Sequence, residues 1–180
     1  MQQVKPKKAL GQHFLTDERV AERIAATLEQ YKNEPVLEVG PGMGVLTKYL
    51  VNSHPQLKVV EIDGESVEYL HEHYPDLDVV EKDFLQTDLA TIFGTENQKI
   101  CVIGNYPYNI SSQIFFKVLD YKDIVVCCSG MLQKEVAERI AAKPGSKVYG
   151  ILSVLLQAWY DVEYLFTVDA EVFNPPPKVK

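Results

Sequence analysis

The sequence predicts an α/β domain: a mostly parallel sheet with helices on both faces, finished by a C-terminal antiparallel hairpin. Three observations lead there. Short apolar runs alternate with segments of helical period five times along the chain, the pattern of strand-helix-strand units. The runs end in glycines, acids or asparagine, which places chemistry at the C-terminal ends of parallel strands. After "ILSVLLQAWY" the stretch "DVEYLFTVDAEVF" alternates as strands do. With 180 residues, one full domain is expected.

Taken in order, "TDERVAERIAATLEQY" sets Val20, Ile24, Ala25 and Leu28 at helical spacing, with Thr16 or Asp17 as N-cap and acids in the first turn. "PVLEVG" is a short strand running into glycines, and "VLTKYLVNS" returns to helical period. "LKVVEID", "LDVVEKD" and "KICVIGN" are the next strands, with "ESVEYLHEHY" a helix between the first two. "ISSQIFFKVLDY" (helix), "DIVVCCSGML" (strand) and "QKEVAERIAA" (helix) follow, and the apolar "ILSVLLQAWY" is a further helix ahead of the expected hairpin. The boundaries are a basic N-terminal arm, 1–15, and a catalytic domain, 16–180.

Hydrophobic content of 46% with 24% charged residues is ordinary globular usage, so a disordered chain is excluded. The N-terminus lacks an apolar segment behind its basic residues, and no stretch of about 18 apolar residues occurs. A cytoplasmic protein with no membrane partner is expected. Cys101, Cys127 and Cys128 lie in apolar runs without paired CxxC spacing, and His71 and His73 point to different faces of a helix, so no metal is expected. The net charge of −7 argues against adhesion to nucleic acid through overall charge. A nucleic acid must instead meet a local patch, such as Lys5, Lys7 and Lys8 or Lys178 and Lys180.

The strand ends carry the candidate chemistry. "VGPGMG" opens a helix with Gly40, Gly42 and Gly44, which suits either a tight turn or backbone approach to a nucleotide. Glu61, about 20 residues beyond the first glycine, is placed to accept hydrogen bonds from ribose hydroxyls. Asp83 in "EKDFL" is an acceptor for an adenine amino group, with Phe84 near the ring, or else a helix N-cap. These features suit a nicotinamide dinucleotide or S-adenosylmethionine. "GNYPYN" decides between them: hydride transfer wants a group titrating near neutrality, and Asn105, Tyr106, Pro107 and Tyr108 supply none. They suit an aromatic amine, with the Asn105 side-chain oxygen and the Tyr106 carbonyl drawing its nitrogen toward tetrahedral geometry for in-line methyl transfer. Tyr108 is free to stack on the base. The plain alternative is a rigid turn with partly buried rings.

"KKALGQHFL", "VLEVGPGMGVLT", "VVEID", "KDF", "GNYPYNISS", "MLQKEVAERI" and "VFNPPPKVK", in that order, make the chain resemble the ribosomal RNA adenine dimethyltransferases over essentially its whole length, closest to the bacterial KsgA type. The resemblance implies a class I S-adenosylmethionine-dependent methyltransferase fold, Rossmann-like. It implies N6,N6-dimethylation of two adjacent adenosines near the 3′ end of 16S rRNA and a role in small-subunit biogenesis. The family's cofactor contacts fall on His13, Leu15, Gly40, Glu61, Asp83 and Asn105, with Gln12 and Gly42 as neighbours. His13 stands where members often have Asn, which favours contact through its backbone. The catalytic tetrad maps to Asn105, Tyr106, Pro107 and Tyr108, with Tyr106 in place of the commoner Leu. Phe173 corresponds to the aromatic on the opposite face of a flipped base, or else is a strand-end core residue. The resemblance also implies a small helical domain after the "PKV" segment; without it this chain is expected to bind cofactor well and to methylate subunits poorly. A monomer is the default expectation. The rivals are an Erm-type enzyme acting on 23S rRNA, an assembly factor with secondary catalysis and, behind both, a nicotinamide oxidoreductase.

Overall fold

The computed structural model describes residues 4–96 and 98–178. Strand β1 (Phe14–Leu15) precedes helix α1 (Glu18–Ala25). Asp17 is the N-cap: its Oδ1 accepts from the amides of Arg19 (2.9 Å) and Val20 (3.4 Å), while the Thr16 hydroxyl donates to Val172 O. Then come β2 (Val36–Val39), α2 (Thr47–Ser53), β3 (Leu57–Glu61), α3 (Gly64–His73) and β4 (Asp78–Glu81). The second half runs β5 (Ile100–Asn105), α4 (Ser111–Asp120), β6 (Val125–Met131), α5 (Lys134–Ile140), α6 (Ile151–Gln157) and β7 (Phe173–Asn174). As far as α6, the expected strands and helices form where the apolar periodicity places them.

The main sheet has the order β4-β3-β2-β5-β6, every pair parallel. The chain moves outward from β2 through β3 to β4, then returns to β5 beside β2. That reversal opens a crevice beyond the carboxyl ends of β2 and β5, where open parallel sheets bind ligands. Both sheet faces are buried. Leu37, Val39 and Val102 join α4, α5 and α6 in one core cluster; Val36, Val59, Cys101 and Ile103 join α1, α2 and α3 in the other. Burial on two faces explains the near-continuous apolar strands.

The expected C-terminal hairpin is corrected. Residues 161–169 form no strand, and the antiparallel element is instead a two-stranded sheet of β7 with β1, pairing Leu15 with Phe173 and Phe14 with Asn174. The alternation survives as burial. Val162, Phe166, Val168 and Ala170 are half-buried while Glu163, Leu165, Thr167 and Asp169 are exposed. Val162 packs on the first cluster and Phe166 on the second, with the Arg23 guanidinium 3.7 Å from the Phe166 ring centroid. Side-chain packing thus satisfies the pattern without a hydrogen-bonded ladder. No helix among the described residues is long and apolar enough to cross a membrane.

Candidate active site

A cavity of about 1350 Å³ occupies the crevice. The ends of all five parallel strands reach it: Gly40 and Gly42 after β2, Glu61 and Ile62 after β3, Asp83 after β4, Asn105 to Tyr108 after β5, and Ser129 to Gln133 around the end of β6. The N-terminal arm and Phe173 close the remaining side.

The glycine loop is built for close approach. Gly40 and Gly42 take φ of 64° and 56°, a left-handed conformation that strains any side chain with a Cβ. A Cβ on Gly42 would stand 2.9 Å from the Phe14 ring, so the loop and the arm are packed through that glycine. Glu61 is buried and ties the loop to β3: its Oε2 accepts from the Gly42 amide at 3.0 Å, and its Oε1 from the amides of Ile62 (2.9 Å) and Asp63 (3.0 Å). Burial raises its carboxyl above the ordinary range, against the pull of those three amides. A carboxylate offers about four acceptor positions, so one remains, on Oε2, for an outside hydroxyl.

Asp83 caps the turn at Phe84–Gln86, its Oδ1 accepting from the Leu85 amide at 2.9 Å. The N-cap reading therefore holds, on a residue that also lines the cavity. Phe84 is buried in the first cluster, whereas Ile62 is 52% exposed at the cavity beside Glu61. Phe84 also lines the cavity from within that cluster, and Ile62 adds an open apolar surface there. The only sequence signal was an apolar residue following the last strand acid.

Around "GNYPYN" the backbone is tightly held. The Asn105 Nδ2 donates to His13 O at 2.9 Å, which orients the amide, and no donor among the described residues meets its Oδ1. The Tyr106 amide donates to Met131 O (3.0 Å), and its hydroxyl donates to Ser129 O (2.6 Å). The Tyr106 ring is buried against Gly104 and Gly130, where a Cβ at either glycine would collide with it or with backbone. Tyr106 therefore anchors the loop to β6. Burial pushes its phenol well above the usual range, so it stays a neutral donor. Pro107 follows, and the Tyr108 ring stands open at the cavity, 5.6 Å from the His13 ring.

The arm carries the other predicted residues. The His13 ring contacts Pro175 O (2.7 Å), and His13 meets Asn105 through its backbone. Leu15 is buried in the second core cluster and is spent on packing. Gln12 accepts from the Lys7 amide (2.7 Å) and donates to Asp63 (3.3 Å). Phe173 lines the cavity while packing against the second cluster, so both of its readings have support. Of the lysines read as a nucleic-acid patch, Lys7 is paired with Asp63 and Glu65, Lys5, Lys8 and Lys178 are exposed or nearly so, and Lys180 lies outside the described residues.

Comparison with known proteins adds a decisive observation. A sequence model described as ribosomal RNA adenine dimethylase matches residues 3–180. The chain belongs to this family. It is 68% identical over 182 residues to the ribosomal RNA small subunit methyltransferase A of Parabacteroides distasonis, covering all of this chain and 67% of that protein. A dimethyladenosine transferase from Plasmodium falciparum superposes with a TM-score of 0.78 at 30% identity, over 93% of this chain and 60% of that one. The 23S rRNA methyltransferase ErmE superposes with a TM-score of 0.77 at 30% identity, over 92% and 66%. The dimethylase-family chain thus spans about two thirds of the length of its curated relatives.

The residues fit the family's methyl donor. The spare acceptor of Glu61, the bare backbone at Gly40, the open Ile62 face and the Asn105 Oδ1, which meets no donor among the described residues, converge on one cavity and suit a nucleoside.

Proposed function

We propose that the chain is the catalytic part of an enzyme that dimethylates two adjacent adenosines near the 3′ end of 16S rRNA in the small ribosomal subunit, using S-adenosylmethionine. The observation carrying this reading is the fixed Asn105 amide. Its nitrogen is committed to His13 O, which leaves its oxygen for an amine entering the crevice.

When bound, S-adenosylmethionine supplies a methyl group on a sulfonium, open to displacement by an amine nitrogen. Glu61 holds the ribose and orders the glycine loop through Gly42. Asn105 Oδ1 and the Tyr106 carbonyl accept the two hydrogens of the adenine amino group and raise its nucleophilicity. That carbonyl is placed by the Tyr106 amide and hydroxyl, both bonded to β6, and by Pro107, which restricts the residue before it to extended backbone. Tyr108 and Phe173 flank the extruded base. No strong base is required, because the methylated nitrogen is acidic until it loses its proton.

The Erm-type rival shares the fold, with a TM-score of 0.77 against 0.78 for the dimethyladenosine transferase. Fold alone does not separate the two. The 68% identity to a small-subunit enzyme against 30% to ErmE does favour the 16S reading. Residues 1–15 act as the arm that closes the crevice. The test is transfer of labelled methyl from S-adenosylmethionine to unmodified small and large subunits. Slow label in 16S rRNA, absent with Asn105→Ala, is expected; label in 23S rRNA would contradict the proposal.

A further inference from the structure

Asp63 lies two residues past Glu61, is 3% exposed, and is not part of the cavity wall. Its carboxylate nonetheless gathers the arm. Lys7 Nζ pairs with Oδ1, Gln12 Nε2 donates to Oδ2 at 3.3 Å, and Ser66 Oγ donates to Oδ2 at 2.9 Å. Lys7 also reaches Glu65 Oε1 at 3.1 Å, and its amide donates to Gln12 Oε1 at 2.7 Å. Residues 7–12 are thus a closed loop with both ends resting on Asp63. The far side of the arm rests on the end of β5: Asn105 Nδ2 donates to His13 O at 2.9 Å and Asn109 Nδ2 to Ala9 O at 3.4 Å. The arm therefore bridges the ends of β3 and β5 across the mouth of the crevice.

From this bridge we infer that Asp63 is a positioning residue, a clasp that holds the arm shut over the methyl-donor site through Lys7 and Gln12; the inference rests on the proposed donor site. A half-exposed lysine on a carboxylate that is itself buried is an asymmetric pair. Freed of Lys7, Asp63 is left as a buried charge, so the lysine's presence decides whether the arm stays down. Burial pushes the Asp63 carboxyl up, but the bonds from Lys7, Ser66 and Gln12 outweigh it and hold it below the ordinary range, charged and able to grip. Opening the clasp releases the β3 side of residues 7–12, leaves their contact with Asn109 through Ala9 O, and disturbs no strand of the main sheet. Donor entry and product exit then follow arm release.

The test uses wild type, Lys7→Met, Lys7→Arg and Asp63→Asn, each checked for a cooperative unfolding transition above the assay temperature. Two readouts are taken: dissociation of S-adenosylhomocysteine in stopped flow, and trypsin cleavage after Lys8. Lys5 precedes Pro6, so early cleavage reports on the arm. Lys7→Met and Asp63→Asn are expected to release the probe roughly five-fold faster and to be cut faster after Lys8, with Lys7→Arg restoring both. Added salt is expected to speed release from wild type more than from Lys7→Met. Wild-type rates in Lys7→Met would overturn the clasp even if Asp63→Asn fails to fold. Failure of the probe to bind wild type would instead count against the donor site, while cleavage measured without probe still decides the clasp.

Discussion

Tyr106 and Glu38 show what single side chains contribute beneath the site. The Tyr106 hydroxyl bonds the Ser129 carbonyl at 2.6 Å inside the core, so Tyr106→Phe leaves that carbonyl without its donor. A loss of about 1–3 kcal/mol in denaturant unfolding is expected, with weaker methyl transfer and retained donor binding. An unchanged unfolding midpoint would refute the anchoring role. From the sequence, only the backbone carbonyl of Tyr106 looked useful, because the slot between Gly104 and Gly130 that receives its ring is formed across two strands. Glu38 is fully buried in β2, and its Oε2 accepts from Thr47 Oγ1 at 2.7 Å. Burial pushes its carboxyl up to about 8 from 4.5, with Glu61 adding to the rise. A raised carboxyl stabilises the fold fully below its unfolded value and loses that stability as pH climbs through about 8. Thermal midpoints are expected to fall from about pH 5 to about pH 8 in wild type and to fall less in Glu38→Gln. Parallel curves would contradict this.

At the scale of elements, the glycine loop and the arm are one packed unit. Gly42→Ala forces a Cβ at φ 56° toward the Phe14 ring, whereas Gly94→Ala, at φ 77°, meets nothing within 4 Å. Backbone strain of about 1–2 kcal/mol is expected in both, and only Gly42→Ala should also weaken donor binding in a titration. Equal binding by the two variants would separate the arm from the loop. The same elements show what the sequence made legible. The strands β2, β3 and β5, buried on both faces, leave apolar runs that cannot be mistaken, and Gly40, Glu61, Asp83 and Asn105 stood out because each stands at the end of a strand. Asp63 was read only as the end of the strand "LKVVEID", because its partner Lys7 is 56 positions away and was read as part of a nucleic-acid patch. The hairpin misled for a related reason: alternation in 161–173 encodes which residues turn inward, and the helix-covered clusters receive them as well as a strand edge would.

For the whole molecule, the topology places donor and acceptor chemistry in a single crevice at the β2/β5 reversal, closed on one side by an arm and by β7. The candidate contacts for the donor gather around one cavity, so the chain is expected to bind S-adenosylmethionine by itself. The most direct test is isothermal titration of S-adenosylmethionine into wild type, Glu61→Ala and Asn105→Ala. Saturable one-site binding in wild type, weakened in both variants, is the expected result and ties the ends of β3 and β5 to one ligand. Undiminished binding in both variants, or no binding in the folded wild type, would contradict the account.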